Sequence, residues 1–83
     1  MFDFVSRSIA AGENWEDNHH YGVQVFNSSE EWGKVRIVVG SASLELRMSP
    51  RQVVTLNDEE SQTVNVINTG TCRLQVEWKK SRD

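Results

Sequence analysis

Few side chains in this chain could do chemistry, and they are grouped. His19 and His20 are its two imidazoles, with Glu16 and Asp17 just upstream. Imidazole with carboxylate is a ligand set suited to Zn, Fe or Ni, yet neighbouring residues of a strand point to opposite faces, so the pair could close on one ion only from a loop. His19, His20 and Glu16 are thus the candidate metal site, and the expectation is a polar hairpin that binds no metal and no cofactor. Other acids gather at Glu13, at Glu30 and Glu31, and at Asp58, Glu59 and Glu60. Acid–base catalysis needs two groups whose surroundings push their pKa values apart, whereas these acids fall in expected turns where water keeps them ordinary. No Gly-x-Ser-x-Gly elbow and no Gly-rich phosphate loop occurs. The expectation is a protein that is not an enzyme.

Tryptophan offers a different chemistry. Trp78 continues the apolar alternation of Leu74 and Val76 and is expected in the core, as is Trp15. Trp32 stands in Asn27-Ser28-Ser29-Glu30-Glu31-Trp32-Gly33, among acids and glycine. An indole there either folds over the end of the molecule as a plug or stays out as an anchor, stacking on a sugar or seating a protein partner. The candidate binding set is Trp32, with Tyr21, Glu30 and Glu31 as lesser contributors.

The elements that must position these residues are strands. Val35, Ile37 and Val39 alternate with Lys34 and Arg36, as do Leu44, Leu46 and Met48 with Glu45 and Arg47, and Leu74, Val76 and Trp78 with Gln75 and Glu77. Period two of this kind marks strands with one buried and one wet face, and no segment shows the helical period. Turn residues divide the chain into about eight strands, near Phe4 to Ile9, Asn14 to Asp17, Tyr21 to Phe26, Lys34 to Val39, Ser43 to Met48, Gln52 to Leu56, Thr63 to Ile67 and Arg73 to Lys79. The expected core is Val23, Val25, Val35, Ile37, Leu44, Leu46, Val64, Val66, Leu74 and Val76. Phe26, Val38 and Ile67 fall on the nominally wet faces.

The chain also repeats itself. Ile9-Ala10-Ala11-Gly12 is echoed 39 residues later by Met48-Ser49-Pro50-Arg51, Val23-Gln24-Val25-Phe26-Asn27 41 later by Val64-Asn65-Val66-Ile67-Asn68, and Val35 to Val39 39 later by Leu74 to Trp78. Two similar halves, roughly 5–39 and 44–78, then share one core. The fold class expected is all-β: a small two-sheet sandwich or jelly roll of about eight short strands, with an immunoglobulin-like sandwich as the alternative.

The order of features resembles the cupins, small jelly rolls also called double-stranded β-helices. Ala11-Gly12-Glu13-Asn14-Trp15 ahead of His19-His20 stands where that family has its glycine-rich corner and His-x-His segment. Val39-Gly40-Ser41 joins two strands as its glycine turn does, Ser49 to Val54 stands at its Gly-Asp corner, and Val66-Ile67-Asn68-Thr69-Gly70 resembles its closing turn. The resemblance implies a metal site of three histidines and a carboxylate. Val64 occupies the place of the last histidine, and the chain has no third one. The metal motif is not retained.

At 83 residues the chain has room for one domain, spanning 1–83, with a core so small that reinforcement is expected. Cys72 is alone and supplies no disulfide, so self-association, most simply as a homodimer, is the expected reinforcement. A net charge of −3 argues against a nucleic-acid partner. The absence of a basic leader or a span of ~20 apolar residues points away from a membrane and toward the cytoplasm. The function expected is a non-catalytic binding or protein-interaction module that recognises a partner protein or a small ligand such as a sugar through its loops. The alternatives are a small metal-assisted enzyme of cupin type and a phage or host-interaction protein that covers a partner's surface.

Overall fold

The computed structural model describes residues 2–17, 22–56 and 63–81. Eight antiparallel strands run through them: β1 (Phe2–Ile9), β2 (Asn14–Asp17), β3 (Val23–Phe26), β4 (Gly33–Val39), β5 (Ala42–Met48), β6 (Val53–Leu56), β7 (Val64–Asn68) and β8 (Leu74–Ser81). They form two four-stranded sheets, ordered β1-β8-β3-β6 and β2-β7-β4-β5. Every connection crosses from one sheet to the other except the hairpin between β4 and β5. In an immunoglobulin sandwich the first two strands share a sheet, so this order sets that alternative aside in favour of the jelly roll.

The two halves are related by an exchange of sheets. Matching β1 to β5, β2 to β6, β3 to β7 and β4 to β8 turns one strand order into the other. The ladders follow: Val25 faces Val76 as Val66 faces Ile37, and Val25 faces Val54 as Val66 faces Trp15. Between the sheets lie Ile9, Trp15, Val23, Val25, Val35, Ile37, Met48, Val64, Val66, Leu74 and Val76, all buried. Trp15 and the half-buried Trp78 meet across the interior with ring centroids 4.7 Å apart. Phe26, Val38 and Ile67 are half-buried on the outer faces.

Leu44 departs from expectation. Its alternation predicts a core position, yet it is 52% exposed. It lies on edge strand β5, opposite a facing edge strand, β6, only four residues long, so the alternation gives it the inner face but β6 is too short to cover that end. Leu46, two residues on, is half-buried.

The corners of the two halves are built alike. Glu13 N–H donates to Ala10 O (3.0 Å) and Gln52 N–H to Ser49 O (3.1 Å), closing turns whose third residues, Gly12 and Arg51, have φ of 83° and 67°. This is the type II pattern, which suits Pro50 at its second position and glycine at its third. Arg51 adopts a conformation that costs a non-glycine residue about 1–2 kcal/mol. Glu13 and Gln52 reach back through Oε1 to accept from the N–H of Ala10 (2.7 Å) and Ser49 (2.8 Å).

Each corner is gripped by the asparagine of the other half. Asn68 N–H donates to Glu13 O and Gly12 N–H to Asn68 O, while Asn27 N–H donates to Gln52 O and Arg51 N–H to Asn27 O. The side-chain amide of Asn68 donates to Ile9 O (3.1 Å) and Cys72 O (2.8 Å) and accepts from Gly70 N–H (3.1 Å). That of Asn27 donates to Glu31 O (2.8 Å), Met48 O (3.2 Å) and Ser49 O (3.2 Å) and accepts from Ser29 N–H (3.1 Å). Both asparagines are fully buried. They had been expected only as turn residues.

Removing the Asn68 amide takes a donor from two buried carbonyls, Ile9 O and Cys72 O, and removing that of Asn27 takes one from the buried Met48 O, at about 1–3 kcal/mol for each carbonyl left unpaired. Glu31 O and Ser49 O keep donors in the Ser29 hydroxyl and Gln52 N–H. Asn68→Ala and Asn27→Ala are each expected to lower stability by about 2 kcal/mol or more against a total on the order of 5 kcal/mol, read from urea denaturation. Loss of only a few tenths in both would show that the grip contributes little.

Candidate functional site

The two extra residues of the first half sit at the start of β4. Asn27 bonds the carbonyl four residues on, Glu31, as Asn68 bonds Cys72, so the halves still match at Glu31. They match again at Val35 and Leu74. Between these points the first half has Trp32, Gly33 and Lys34 where the second has Arg73 alone. The consequence is a displaced ladder. Ile9 faces Leu74, but Met48, the counterpart of Ile9, faces Gly33 instead of Val35. The halves thus diverge at Trp32–Lys34.

Trp32 is 58% exposed, so it does not plug the sandwich. The Arg47 guanidinium carbon lies 5.1 Å from its ring centroid, a cation–π contact worth ~0.5–1 kcal/mol at an exposed site. Gly33 is buried against Cys72 and Leu74: a Cβ there would meet Cys72 Sγ at 3.0 Å. At Gly70 a Cβ would come within 2.6 Å of the Lys34 backbone nitrogen, so the 69–71 loop crosses the start of β4 at a distance only glycine permits. A groove of about 360 Å³ opens there, lined by Trp32, Lys34, Arg47, Thr69, Gly70 and Thr71.

Electrostatically the groove is cationic. Lys34 and Arg47 are direct cross-strand partners, both exposed, and like charges so placed repel. Among the described residues neither has a carboxylate within salt-bridge distance. Arg36, next on the same face of β4, instead faces Glu45.

The structure separates the other residues singled out in the sequence. Glu30 accepts from Arg51 Nη2 at 2.6 Å on the surface, and Glu31 contributes its backbone carbonyl to Asn27, its side chain lying exposed. Glu16 is exposed on β2, opposite Asn65. Tyr21, His19 and His20 lie outside the described residues. Among the described residues no group of three or more His, Cys, Asp or Glu is placed to hold a metal, and Val64, where a metal-binding cupin has a histidine, is fully buried. Arg47 was missed in the sequence, although the two-residue Gly40-Ser41 loop carries the signal: it sets Lys34 opposite Arg47.

A second opening, about 210 Å³, lies at the mouth of the sandwich between β5 and β6. Ile37, Val39, Ala42, Ser43, Leu44 and Leu56 line it. None of them carries a charge or a group able to exchange a proton near neutral pH.

This arrangement is that of a cupin-type jelly roll. The chain is similar to a cupin superfamily protein from Desulfitobacterium hafniense (TM-score 0.62, 14% identity, 96% of this chain and 68% of that one). It is also similar to a de novo designed double-stranded β-helix (0.60, 11%, 94% and 99%) and to the Cnp3 cupin domain of Schizosaccharomyces pombe (0.59, 16%, 99% and 53%). Identities this low show a shared fold. No protein-family model matches the chain, and no curated protein does. No helix among the described residues is long and apolar enough to cross a membrane.

Because Trp32 is exposed, Trp32→Ala is expected to cost no more than about 1.5 kcal/mol, from the lost cation–π contact and partial burial. Trp15→Ala, in the core, should cost about 3–5 kcal/mol. Equal losses in thermal denaturation would show that Trp32 is packed after all.

Proposed function

We propose that this protein is a non-catalytic binding module that recognises a small ligand, a sugar or a similar ring, or a loop of a partner protein, at the Trp32 end of the sandwich. The observation that carries the reading is the exposed Trp32 at the point where the two halves part. A jelly roll needs Trp15 and Trp78 for its interior. It does not need an indole held outside by an arginine, and exposed tryptophans are enriched among the dominant contacts of interfaces. Function placed in a loop on a rigid scaffold is the common arrangement for such folds. Glu30 and Glu31 flank the anchor, and Tyr21 is proposed as a further contributor.

Among the described residues none that lines the apolar mouth supports acid–base chemistry, which favours binding over catalysis. Self-association as a dimer accompanies the reading. The core is small, β1, β6, β2 and β5 leave sheet edges, and Leu44 and Val53 are apolar and about half exposed beside two of them. The cytoplasm is the proposed setting, in keeping with a single free, buried Cys72.

Screening on a glycan array is expected to give binding that falls by tenfold or more in Trp32→Ala, about 1.4 kcal/mol or above, with the fold intact by circular dichroism. Binding undiminished in that variant would remove Trp32 from the site. Sedimentation at micromolar concentration is expected to show a dimer. A third measurement addresses the rival metal enzyme: His19→Ala/His20→Ala is expected to keep fold and binding, and protein purified without an affinity tag is expected to carry no stoichiometric metal.

A further inference from the structure

Resting on the reading of Trp32 as an anchor, we infer that the groove beside it is an oxyanion site, taking a ring-shaped ligand that carries a phosphate or carboxylate group. Such ligands are phosphorylated or acidic sugars. The ring would lie against the indole and the anion between Lys34 and Arg47.

Charge placement is the first support. The protein is acidic, yet Lys34 and Arg47 are set directly opposite each other on adjacent strands, with no carboxylate in salt-bridge distance among the described residues. Cross-strand partners of this kind lie with Cβ atoms about 4.5–5.5 Å apart and repel. The neighbouring row shows the ordinary arrangement, Arg36 opposite Glu45. An anion bound between the two cations would relieve the repulsion, whereas a neutral ligand would leave it in place.

The pairing is also a consequence of the local departure from the repeat. The displacement of the β4–β5 ladder by two residues places Lys34 across from Arg47 and leaves Trp32 at the strand's start. One change in the chain therefore brings Trp32 and Lys34 together beside Arg47. Arg47 is held over the indole before any ligand arrives, so less side-chain freedom is lost on binding.

The third support is shape and donors. Thr69 and Thr71 put hydroxyl-bearing residues on the far wall. The close approach of Gly70 to the Lys34 backbone keeps that wall against the strand. The volume, about 360 Å³, falls at the low end of the roughly 300–1,000 Å³ typical of small-ligand pockets, which fits a single substituted ring. The site is on the outer face of the β2-β7-β4-β5 sheet and is separate from the apolar mouth between β5 and β6.

The test titrates the intact protein with glucose 6-phosphate, glucuronate, glucose and inorganic phosphate, following the amide resonances of Gly70 and Thr71. Glucose 6-phosphate and glucuronate are expected to shift them, at least tenfold more tightly than glucose or inorganic phosphate. Lys34→Gln and Arg47→Gln should each weaken the charged sugars about tenfold with the fold intact by circular dichroism, and added salt should weaken them further. Glucose binding as tightly as glucose 6-phosphate, with both variants unaffected, would overturn the oxyanion site while leaving the Trp32 module standing. Inorganic phosphate binding as tightly as the charged sugars, undiminished in Trp32→Ala, would overturn the stacked ring. Absence of any shift at millimolar charged sugar would overturn the inference as a whole; the array result with Trp32→Ala then decides separately on the module.

Discussion

The structure depends on a reciprocal grip between its halves. Asn27, from the first half, holds the Ser49–Gln52 corner of the second, and Asn68, from the second, holds the Ile9–Glu13 corner of the first. Neither half can complete its own corner. A buried amide satisfied on both its donor and acceptor sides fixes geometry that apolar packing alone leaves open, because leaving any of those carbonyls unpaired in the interior costs more than a hydrogen bond contributes. The cost of the positive φ at Arg51 is borne within this arrangement: the Arg51 N–H is committed to Asn27 O, and the turn has no other way to present it.

With the frame fixed by symmetry, what distinguishes this chain lies where symmetry fails. Six ladders form three equivalent pairs, of which two obey the repeat. In the third, β4–β5 is displaced by two residues relative to β1–β8, and that displacement gathers Trp32, Lys34 and Arg47 on one edge of one sheet. A scaffold gripped at both ends tolerates a two-residue excess at a strand start, since the extra length extends β4 without disturbing the Asn27 contacts before it or the Val35 packing after it.

The likeness to cupin structures concerns the backbone. The shared feature is the jelly-roll fold, while the interior of this chain is filled by residues such as Val64, Val66, Ile37 and the Trp15–Trp78 pair. A buried valine offers no lone pair to a metal. Fold and function are separable in this way because the jelly roll is stabilised by its inner faces and corners, and chemistry is added by individual side chains.

Much of the fold was legible in the amino-acid order. Period-two alternation gave the strands and most of the core, because a sheet with one wet face imposes that pattern directly on the chain. The echo at offsets of 39 and 41 residues gave two halves. Alternation could not tell that Leu44 is uncovered, since a strand's inner face is the same in sequence whether or not another strand lies above it. Nor could it choose between jelly roll and immunoglobulin order, which rests on which strands pair across long separations. The burial of Asn27 and Asn68 was equally hidden: the same residue serves an exposed turn or a buried corner, and only the carbonyls brought from the other half decide which. The candidate site follows the same division. Trp32 stood out by its surroundings in the chain, but its partnership with Arg47, Lys34 and the 69–71 loop exists only once β4, β5 and β7 are side by side, because like charges thirteen residues apart become neighbours solely through strand register.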